Sequence, residues 1–317
     1  MGITAAIDIG SNSIRMLVAQ TDNLRLIPLY RDLCSTRLAA GIGSKGVLSE
    51  KTVERTLDAV KRFKERAVSM GANEIIAAAT SAVRDAQNSE DFLGKVRRLG
   101  LNVRVITGEE EAELGFLGAV CGIKNTDGGI FLADIGGGST ELVLGDKKGI
   151  RMLKSLELGA VRLTEDFLKN DPVSEDKIKE TKNYVLHTIL DEAGDIPAGS
   201  SKVIGIGGTI TTLAAISMEM EHYDPNRIHN YVLEKSVIDA IFKRLSKSDI
   251  NSRKKVPGLQ PERADIIVAG TIIVKCLMEY WGFESIRVSE WDNLEGIIYQ
   301  NLISVHEDST TIHAEKT

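Results

Sequence analysis

Scarcity of cysteine, proline and unbroken apolar sequence excludes several classes of protein. The chain of 317 residues contains three cysteines and six prolines. Because Cys34, Cys121 and Cys276 are odd in number, widely spaced and without a CxxC pair, we expect neither a disulfide framework nor a thiolate metal site. No apolar run reaches the roughly 18 residues of a membrane span, and Asp8 lies where a secretory leader would need apolar residues. A cytoplasmic protein is the expectation.

Basic residues are outnumbered as well. Lys and Arg total 39 against 45 Asp and Glu, which gives a formal net charge of -6. This balance argues against a protein coated in nucleic acid or held on an anionic membrane surface, so neither partner is expected. The five histidines are scattered without metal-ligand spacing. No GxSxG, P-loop or kinase HRD motif occurs, so covalent catalysis is not indicated.

The chain does contain an alternation of strands and helices that occurs twice. Three apolar stretches in the first 35 residues predict a meander of strands, and strands and helices alternate after it. A second meander begins near residue 129. Aligning Asp8 with Asp134, an offset of 126 positions, pairs Gly10 with Gly136 and Ser13 with Ser139. The sequence therefore predicts an α/β protein of two similar halves.

We place the boundary of these halves in the turn-forming stretch near 122–128. The predicted domains are residues 1–125 and 126–317, with the helix near 291–305 allowed to pack back on the first. Later helices are expected at about 160–192, 209–220, 234–246 and 262–281, and strands near 202–206 and 285–288. The polar stretch 247–263 is expected to form a surface loop.

The stretch ADIGGGSTELVLG, residues 133–145, has the composition of a phosphate-binding turn. A strand, a tight glycine turn and a returning strand form a hairpin tip whose backbone N–H groups can converge on an anion. A glycine-rich β-turn alone needs no ligand, but the internal repeat supplies a second tip, and GIGGTI at 205–210 supplies a third glycine turn that opens a helix. The candidate phosphate-binding residues are Gly10, Ser11, Asn12, Ser13, Gly136, Gly137, Gly138, Ser139, Thr140, Gly207, Gly208 and Thr209.

Acidic residues mark the start of the helix after residue 107. Thr107 and Glu110 have the spacing of a capping box, and in a helix Glu111 points about 100° away from Glu110. One glutamate can therefore cap the helix while the other faces a ligand. Arg84, after the strand at 74–80, offers a guanidinium suited to a phosphate edge. Weaker basic candidates are Arg15, Arg37, Arg162, Arg263, Lys254 and Lys255.

Seven motifs in order resemble the exopolyphosphatase/guanosine pentaphosphate phosphatase family over about residues 3–300. They are DIGSNSIRMLV, TSAVR, GEEEAELGFLGAV, DIGGGSTELVLG, LGAVRLTE, GIGGTITTLAAI and PGLQPERADII. The resemblance implies two ribonuclease-H-like lobes of the actin, Hsp70 and sugar-kinase superfamily, with a cleft between them. Residue by residue, it implies Glu111 as catalytic base, Glu141 as a second catalytic or metal-binding carboxylate, Arg84 as a phosphate ligand, and Asp8, Asp134 and Glu141 as groups that hold Mg²⁺ or its waters.

The resemblance further implies an Mg²⁺-assisted phosphoanhydride hydrolase acting on polyphosphate or guanosine pentaphosphate, with a monovalent cation such as K⁺ left open. A superfamily kinase or ATPase and a non-catalytic alarmone sensor are the alternatives from other classes. Against longer relatives, which carry an added helical C-terminal part, this sequence is expected to act on shorter polyphosphates or on the nucleotide. It also lacks the Arg that the family often shows before Glu295-Gly296. A homodimer is the default expectation.

Overall fold

The computed structural model describes residues 2–22, 25–42, 46–123, 128–199 and 201–314. Its internal contacts divide the chain into two units. The first unit comprises Met1–Gly118 and Asp292–Thr317, and the second comprises Ala119–Trp291. The boundary predicted between residues 125 and 126 lies outside the described residues.

A five-stranded sheet forms the centre of the first unit. Its strands are β1 (Gly2–Ile9), β2 (Ile14–Asp22), β3 (Arg25–Cys34), β4 (Glu74–Ala79) and β5 (Val103–Val105). Their order in the sheet is β3-β2-β1-β4-β5. The first three strands form an antiparallel meander, whereas β4 runs parallel to β1 and β5 parallel to β4.

The second unit repeats this arrangement. Its strands are β6 (Ile130–Ile135), β7 (Thr140–Asp146), β8 (Gly149–Leu156), β9 (Lys202–Ile206), β10 (Val232–Glu234) and β11 (Ser285–Val288). The order β8-β7-β6-β9-β11 reproduces that of the first sheet, and β10 adds an antiparallel edge. Because both sheets place a three-stranded meander beside parallel strands, the predicted α/β fold with ribonuclease-H-like topology is confirmed.

In the part of the chain that the structure describes, four α-helices lie between β3 and β6 in sequence. They are α1 (Glu50–Ser69), α2 (Ser81–Arg84), α3 (Ser89–Arg98) and α4 (Gly108–Gly122). Ser49 caps α1 as its sequence predicts, since its side chain accepts a hydrogen bond from the Thr52 amide. Val53, Val60 and Phe63 recur at helical spacing and are buried, so this face of α1 belongs to the core of the first unit.

Within residues 128–199 and 201–291, which the structure describes, seven α-helices belong to the second unit. They are α5 (Ala160–Phe167), α6 (Glu175–Ala193), α7 (Gly208–Ser217), α8 (Pro225–Ile228), α9 (Lys235–Ser246), α10 (Ile250–Arg253) and α11 (Ile267–Trp281). The helical structure expected at 160–192 is present as two helices: the chain leaves α5 at Leu168 and restarts at the N-cap Ser174, which accepts from the Lys177 amide.

The stretch 247–263 is also more structured than a surface loop. It contains α10 and a short 3₁₀ turn at Pro261–Arg263. Arg253 within it is 3% exposed and forms an ion pair with Asp171. Charge pairing of a buried arginine is a tertiary feature, so local polarity alone could not reveal it.

The final helix, α12 (Asn293–Ala314), returns to the first unit and packs on β1 and β2. In the second unit α11 is buried along most of its length, and Phe131 of β6 contacts the ring of Trp281 with centroids 4.9 Å apart. Among the described residues, no helix combines the length and apolar character needed to cross a bilayer.

Candidate functional site

In the described structure, two amides of the tip between β1 and β2 lack an acceptor, while carbonyls of the same tip accept hydrogen bonds. Four residues, Gly10 to Ser13, join the strands, and the Gly10 amide donates to the Ser13 carbonyl at 3.0 Å. The carbonyls of Ser11 and Asn12 accept from the amides of Ala39 and Arg37 at 2.9 and 2.8 Å. Within the described part of the chain, the amides of Ser11 and Asn12 have no hydrogen-bond acceptor.

The tip between β6 and β7 has the same construction. Gly136 to Ser139 join the strands, and the Gly136 amide donates to the Ser139 carbonyl at 3.0 Å. The carbonyls of Gly136 and Gly137 accept from the start of α5, at Ala160 and Val161. The described residues supply no acceptor for the amides of Gly137 and Gly138.

These hydrogen bonds give each tip a polarity. When the carbonyls of a turn are occupied and its amides are open, the turn presents partial positive charge, which suits phosphate oxygens. The Asn12 side chain is 6% exposed, and its Nδ2 has no hydrogen-bond partner in the described structure. A buried amide donor without an acceptor is costly, so this atom too suits an anionic ligand.

Glycine is required where α5 meets the second tip. A Cβ on Gly159 would lie 2.2 Å from the Gly137 carbonyl oxygen and 2.4 Å from the carbonyl carbon of Gly138. Since these neighbours are backbone atoms, no side-chain rearrangement relieves the contact. The LGAVR stretch of the sequence is thus explained by close packing against the tip.

The residue opposite the strand-end aspartate differs in charge between the two hairpins. In the first unit Asp8 is paired across the strands with Arg15, and in the second unit Asp134 is paired with Glu141. Arg15 donates to Asp8 Oδ2 from Nε at 3.1 Å. Glu141 is 1% exposed, and its Oε1 accepts from the Ser155 hydroxyl at 2.9 Å. Two carboxylates on facing positions repel one another and therefore favour a cation.

Burial dominates the electrostatics of Asp8. Its carboxyl is 4% exposed, and burial raises its pKa above the ordinary value, with Arg15 opposing that shift and Asp292 adding to it. Arg15 also forms an ion pair with Asp292, at the start of α12. Asp8 is therefore part of a charged network rather than a solitary carboxylate.

Arg84 and Glu111, predicted as phosphate ligand and base, lie together. Arg84 Nη1 is 3.4 Å from Glu111 Oε2 and donates to the Ile106 carbonyl at 2.9 Å. Glu111 is 8% exposed. Glu110 forms the predicted capping box, in which its amide donates to Thr107 Oγ1 and its carboxylate accepts from the Thr107 amide. Glu110 thus caps the helix, whereas Glu111 lies against Arg84.

The helix that carries Arg84 is joined directly to the first tip. Ser81, the first residue of α2, shares a 2.8 Å hydrogen bond between hydroxyls with Ser11. The structure therefore connects the predicted residues Ser11, Arg84 and Glu111 within the first unit. The role of Ser81 was not predicted, although it lies in the TSAVR motif; the sequence does not indicate which tip residue it would contact.

The third glycine turn lies against the second hairpin. Gly207 has φ +85°, and a Cβ there would lie 2.4 Å from Asp134 Oδ1. A Cβ on Gly208, where α7 starts, would lie 2.0 Å from Nη1 of Arg263. Thr209, the next residue, is 5% exposed. The structure thus brings Asp134, Gly207, Gly208 and Arg263 together within the second unit.

The weaker basic candidates have different surroundings. Arg162 donates to the Gly138 carbonyl at 3.1 Å, so it borders the second tip. Arg37 contacts the first tip through its backbone amide. Lys254 and Lys255 are exposed at the end of α10. Other contributors, Ser155 and Asp292, were not predicted; of these only Asp292 had a signal, the Asp292-x-x-Glu295 spacing of a capping box.

The donors at the second hairpin fit Mg²⁺. No group of three or more His, Cys, Asp or Glu side chains forms a metal cluster in the described residues. Magnesium usually binds one or two protein carboxylates together with phosphates and waters, and its preferred donors are oxygens. Asp134 and Glu141, which occupy facing positions of β6 and β7, meet that requirement. Asp8 fits less directly because Arg15 already contacts its carboxylate.

Comparison with known proteins assigns the family. Residues 17–305 match the family described as the Ppx/GppA phosphatase family. The chain belongs to this family. The predicted resemblance is therefore confirmed for most of the sequence, and the matched residues include the second tip and the start of α4.

Individual relatives agree with this assignment. This Ppx/GppA member is 35% identical over 313 residues to the bifunctional 3-dehydroquinate synthase/phosphatase of Fusobacterium nucleatum, in an alignment that covers 95% of this chain and 46% of that protein. The chain thus spans less than half of that relative. It is 32% identical over 308 residues to exopolyphosphatase 2 of Mycobacterium tuberculosis, covering 92% and 96% of the two chains. The crystal structure of the Aquifex aeolicus family member superposes with a TM-score of 0.81 at 32% identity, covering 96% of this chain and 98% of that one.

Proposed function

We propose that the protein is an exopolyphosphatase that releases terminal orthophosphate from inorganic polyphosphate by direct attack of water. The observation that carries the proposal is the polarity of the two hairpin tips, each of which has carbonyls that accept hydrogen bonds and two amides without an acceptor among the described residues. Such tips bind phosphoryl oxygens without any base or sugar. The printed names of relatives, among them an exopolyphosphatase, support the choice of substrate.

Glu111 is proposed to orient the attacking water and accept its proton. It is nearly buried at the first turn of α4, and Arg84 fixes its carboxylate from one side. A carboxylate held in one orientation is what a water-positioning base requires. Arg84 would in addition contact a phosphoryl oxygen, because its guanidinium offers several donors in one plane.

Asp134 and Glu141 of the second unit are proposed to hold Mg²⁺, and Asp8 of the first unit is proposed to interact with hydrated Mg²⁺. When bound, the ion lowers the negative charge of the phosphate chain and so eases the approach of water. Ser155 holds the Glu141 carboxylate through its hydroxyl, and Gly207 leaves room for that of Asp134. These contacts keep both carboxylates at the strand ends without metal.

A panel of substrates tests the proposal. Orthophosphate release by the purified chain should be measured with Mg²⁺ on polyphosphates of several lengths, guanosine pentaphosphate and ATP. Release from polyphosphate at the highest kcat/KM supports the proposal. Preference for guanosine pentaphosphate would make the chain a nucleotide 5′-phosphohydrolase, phosphate appearing on an acceptor would make it a kinase, and binding without turnover a sensor. A homodimer and a cytoplasmic location stay predictions.

A further inference from the structure

The start of α12 is a capping box in which each carboxylate has a second partner. Asp292 Oδ1 accepts from the Leu294 amide at 3.1 Å, and Glu295 Oε2 accepts from the Asp292 amide at 3.0 Å. Capping uses one oxygen of each residue. The other oxygens form ion pairs, Asp292 with Arg15 of β2 and Glu295 with Arg31 of β3.

Only one of these two ion pairs extends to the candidate site. Arg15 donates to Asp8 as well as to Asp292, so the two carboxylates share one guanidinium. Arg31 pairs with Glu295, and neither residue belongs to the group formed by Asp8, Arg15 and Asp292. Asp8, Arg15 and Asp292 together carry a formal charge of minus one, whereas Arg31 and Glu295 sum to zero.

The shared arginine has a consequence for Asp8. An arginine paired with Asp8 alone would cancel the attraction of that carboxylate for a cation, since the pair would be neutral. A second carboxylate on the same arginine restores one negative charge. The three side chains are mostly buried, with exposed side-chain fractions of 6%, 22% and 10% for Asp8, Arg15 and Asp292, so solvent screens this charge only in part.

We propose that Asp292 is a positioning residue of the candidate site, which shares Arg15 with Asp8 and thereby maintains a net negative charge at the Asp8 carboxylate. The proposal deepens the proposed function, because it rests on a role for Asp8 toward Mg²⁺. It extends the site from the strand ends to the first residue of the capping box of α12. The residues that the family motifs indicated did not include Asp292.

Asp292→Asn is the variant that separates charge from capping. Asparagine is as good an N-cap as aspartate, so the bond from the Leu294 amide is retained while the charge is lost. The expected result is a rise of roughly 3- to 10-fold in the Mg²⁺ concentration that gives half-maximal rate, with KM for polyphosphate little changed. Glu295→Gln is the matched control, because it removes the neighbouring ion pair at the same helix start and leaves Arg15 untouched.

Arg15→Gln should shift the half-saturating Mg²⁺ concentration in the opposite direction from Asp292→Asn. Removing the guanidinium makes the local charge more negative, so at mildly alkaline pH the half-saturating Mg²⁺ concentration should fall, while kcat falls because Asp8 is no longer held. A merely structural role for the network predicts the same direction for both variants. Shifts of equal sign in Asp292→Asn and Arg15→Gln would therefore overturn the proposal.

A second measurement does not depend on activity. The midpoint of thermal unfolding should be recorded against Mg²⁺ concentration in a buffer containing orthophosphate, for the unmodified chain and the three variants. The Mg²⁺-dependent rise should need more metal in Asp292→Asn and less in Arg15→Gln, with Glu295→Gln unchanged. No Mg²⁺ dependence in the unmodified chain would overturn the positioning role. If the Mg²⁺ affinities follow this order but the protein does not hydrolyse polyphosphate, the positioning role of Asp292 stands and the proposed function is refuted.

Discussion

Arg15 and Glu141 occupy the same place in duplicated hairpins but carry opposite charges. Each faces a strand-end aspartate, Asp8 in the first unit and Asp134 in the second. The first pair is an ion pair, whereas the second places two carboxylates on facing positions. Duplication explains why the tips share their hydrogen bonds, and this one exchange explains why their chemistry differs.

Glu111→Gln tests the assignment of the base. Glutamine keeps the size of the side chain and can still accept a hydrogen bond from Arg84, but it cannot take a proton from water. We expect kcat for phosphate release to fall by about 10²- to 10⁴-fold with substrate binding largely retained. Steady-state kinetics and a binding isotherm for polyphosphate measure the two effects.

The adjacent Glu110→Gln variant is the control. Glutamine also serves at this position of a capping box, so rate and stability should stay close to those of the unmodified chain. Near-normal turnover in Glu111→Gln, or an equal loss in both variants, would contradict the assignment.

At the scale of elements, backbone amides of a later segment of the chain donate hydrogen bonds to the carbonyls of each tip. The sequence predicted the glycine turns, the capping box at Thr107 and the cap at Ser49, because each depends on residues within a few positions of one another. It did not predict that the loop after β3 and the start of α5 would occupy the carbonyls of the tips. Those contacts join segments about 24 to 28 residues apart, and no local pattern encodes them.

Gly159→Ala should disrupt the second tip. Its added methyl would meet backbone atoms of Gly137 and Gly138 at 2.2 to 2.4 Å, which forces a shift of the tip or of α5. We expect a loss of about 1–3 kcal/mol in the free energy of unfolding and a fall in activity larger than that loss explains. Chemical denaturation and phosphate release measure the two effects.

Gly94→Ala is a suitable control for this variant. Gly94 lies within α3, and a methyl there would have nothing within 4 Å. Alanine in a helix should therefore leave stability equal or improved. If Gly159→Ala behaved like Gly94→Ala, the packing account of the tip would be wrong.

The buried carboxyl of Glu295, in the capping box at the start of α12, predicts that the free energy of unfolding depends on pH. Burial raises the pKa of Glu295 from 4.5 to about 7, with Arg31 opposing the shift and Asp292 adding to it. Between these values the folded chain retains a proton that the unfolded chain has lost, so stability falls as pH rises through this range.

Glu295→Gln should remove that part of the pH dependence. Chemical denaturation from about pH 4.5 to pH 7 should give a flatter profile for the variant than for the unmodified chain. Glu90→Gln, at an exposed ion pair with Arg97, should retain the original slope. Identical slopes for Glu295→Gln and the unmodified chain would show that Glu295 does not titrate differently on folding.

At the scale of the whole molecule, the internal repeat was the most informative signal in the sequence. An offset of 126 positions predicted two similar halves, and the two sheets share strand order and four-residue tips. The family motifs then predicted the roles of individual residues. The ion-pair network of Asp8, Arg15 and Asp292 could not be predicted from the sequence. Asp292 is 277 residues from Arg15, and only the folded chain brings the two together.

The central claim is that both hairpin tips bind phosphate through their open amides. Its most direct test is a titration of the Glu111→Gln protein with tripolyphosphate and Mg²⁺, followed through backbone amide resonances. We predict saturable shifts of the amide resonances of Ser11, Asn12, Gly137 and Gly138. Tripolyphosphate binding that leaves these four amides unchanged while others shift would contradict the account.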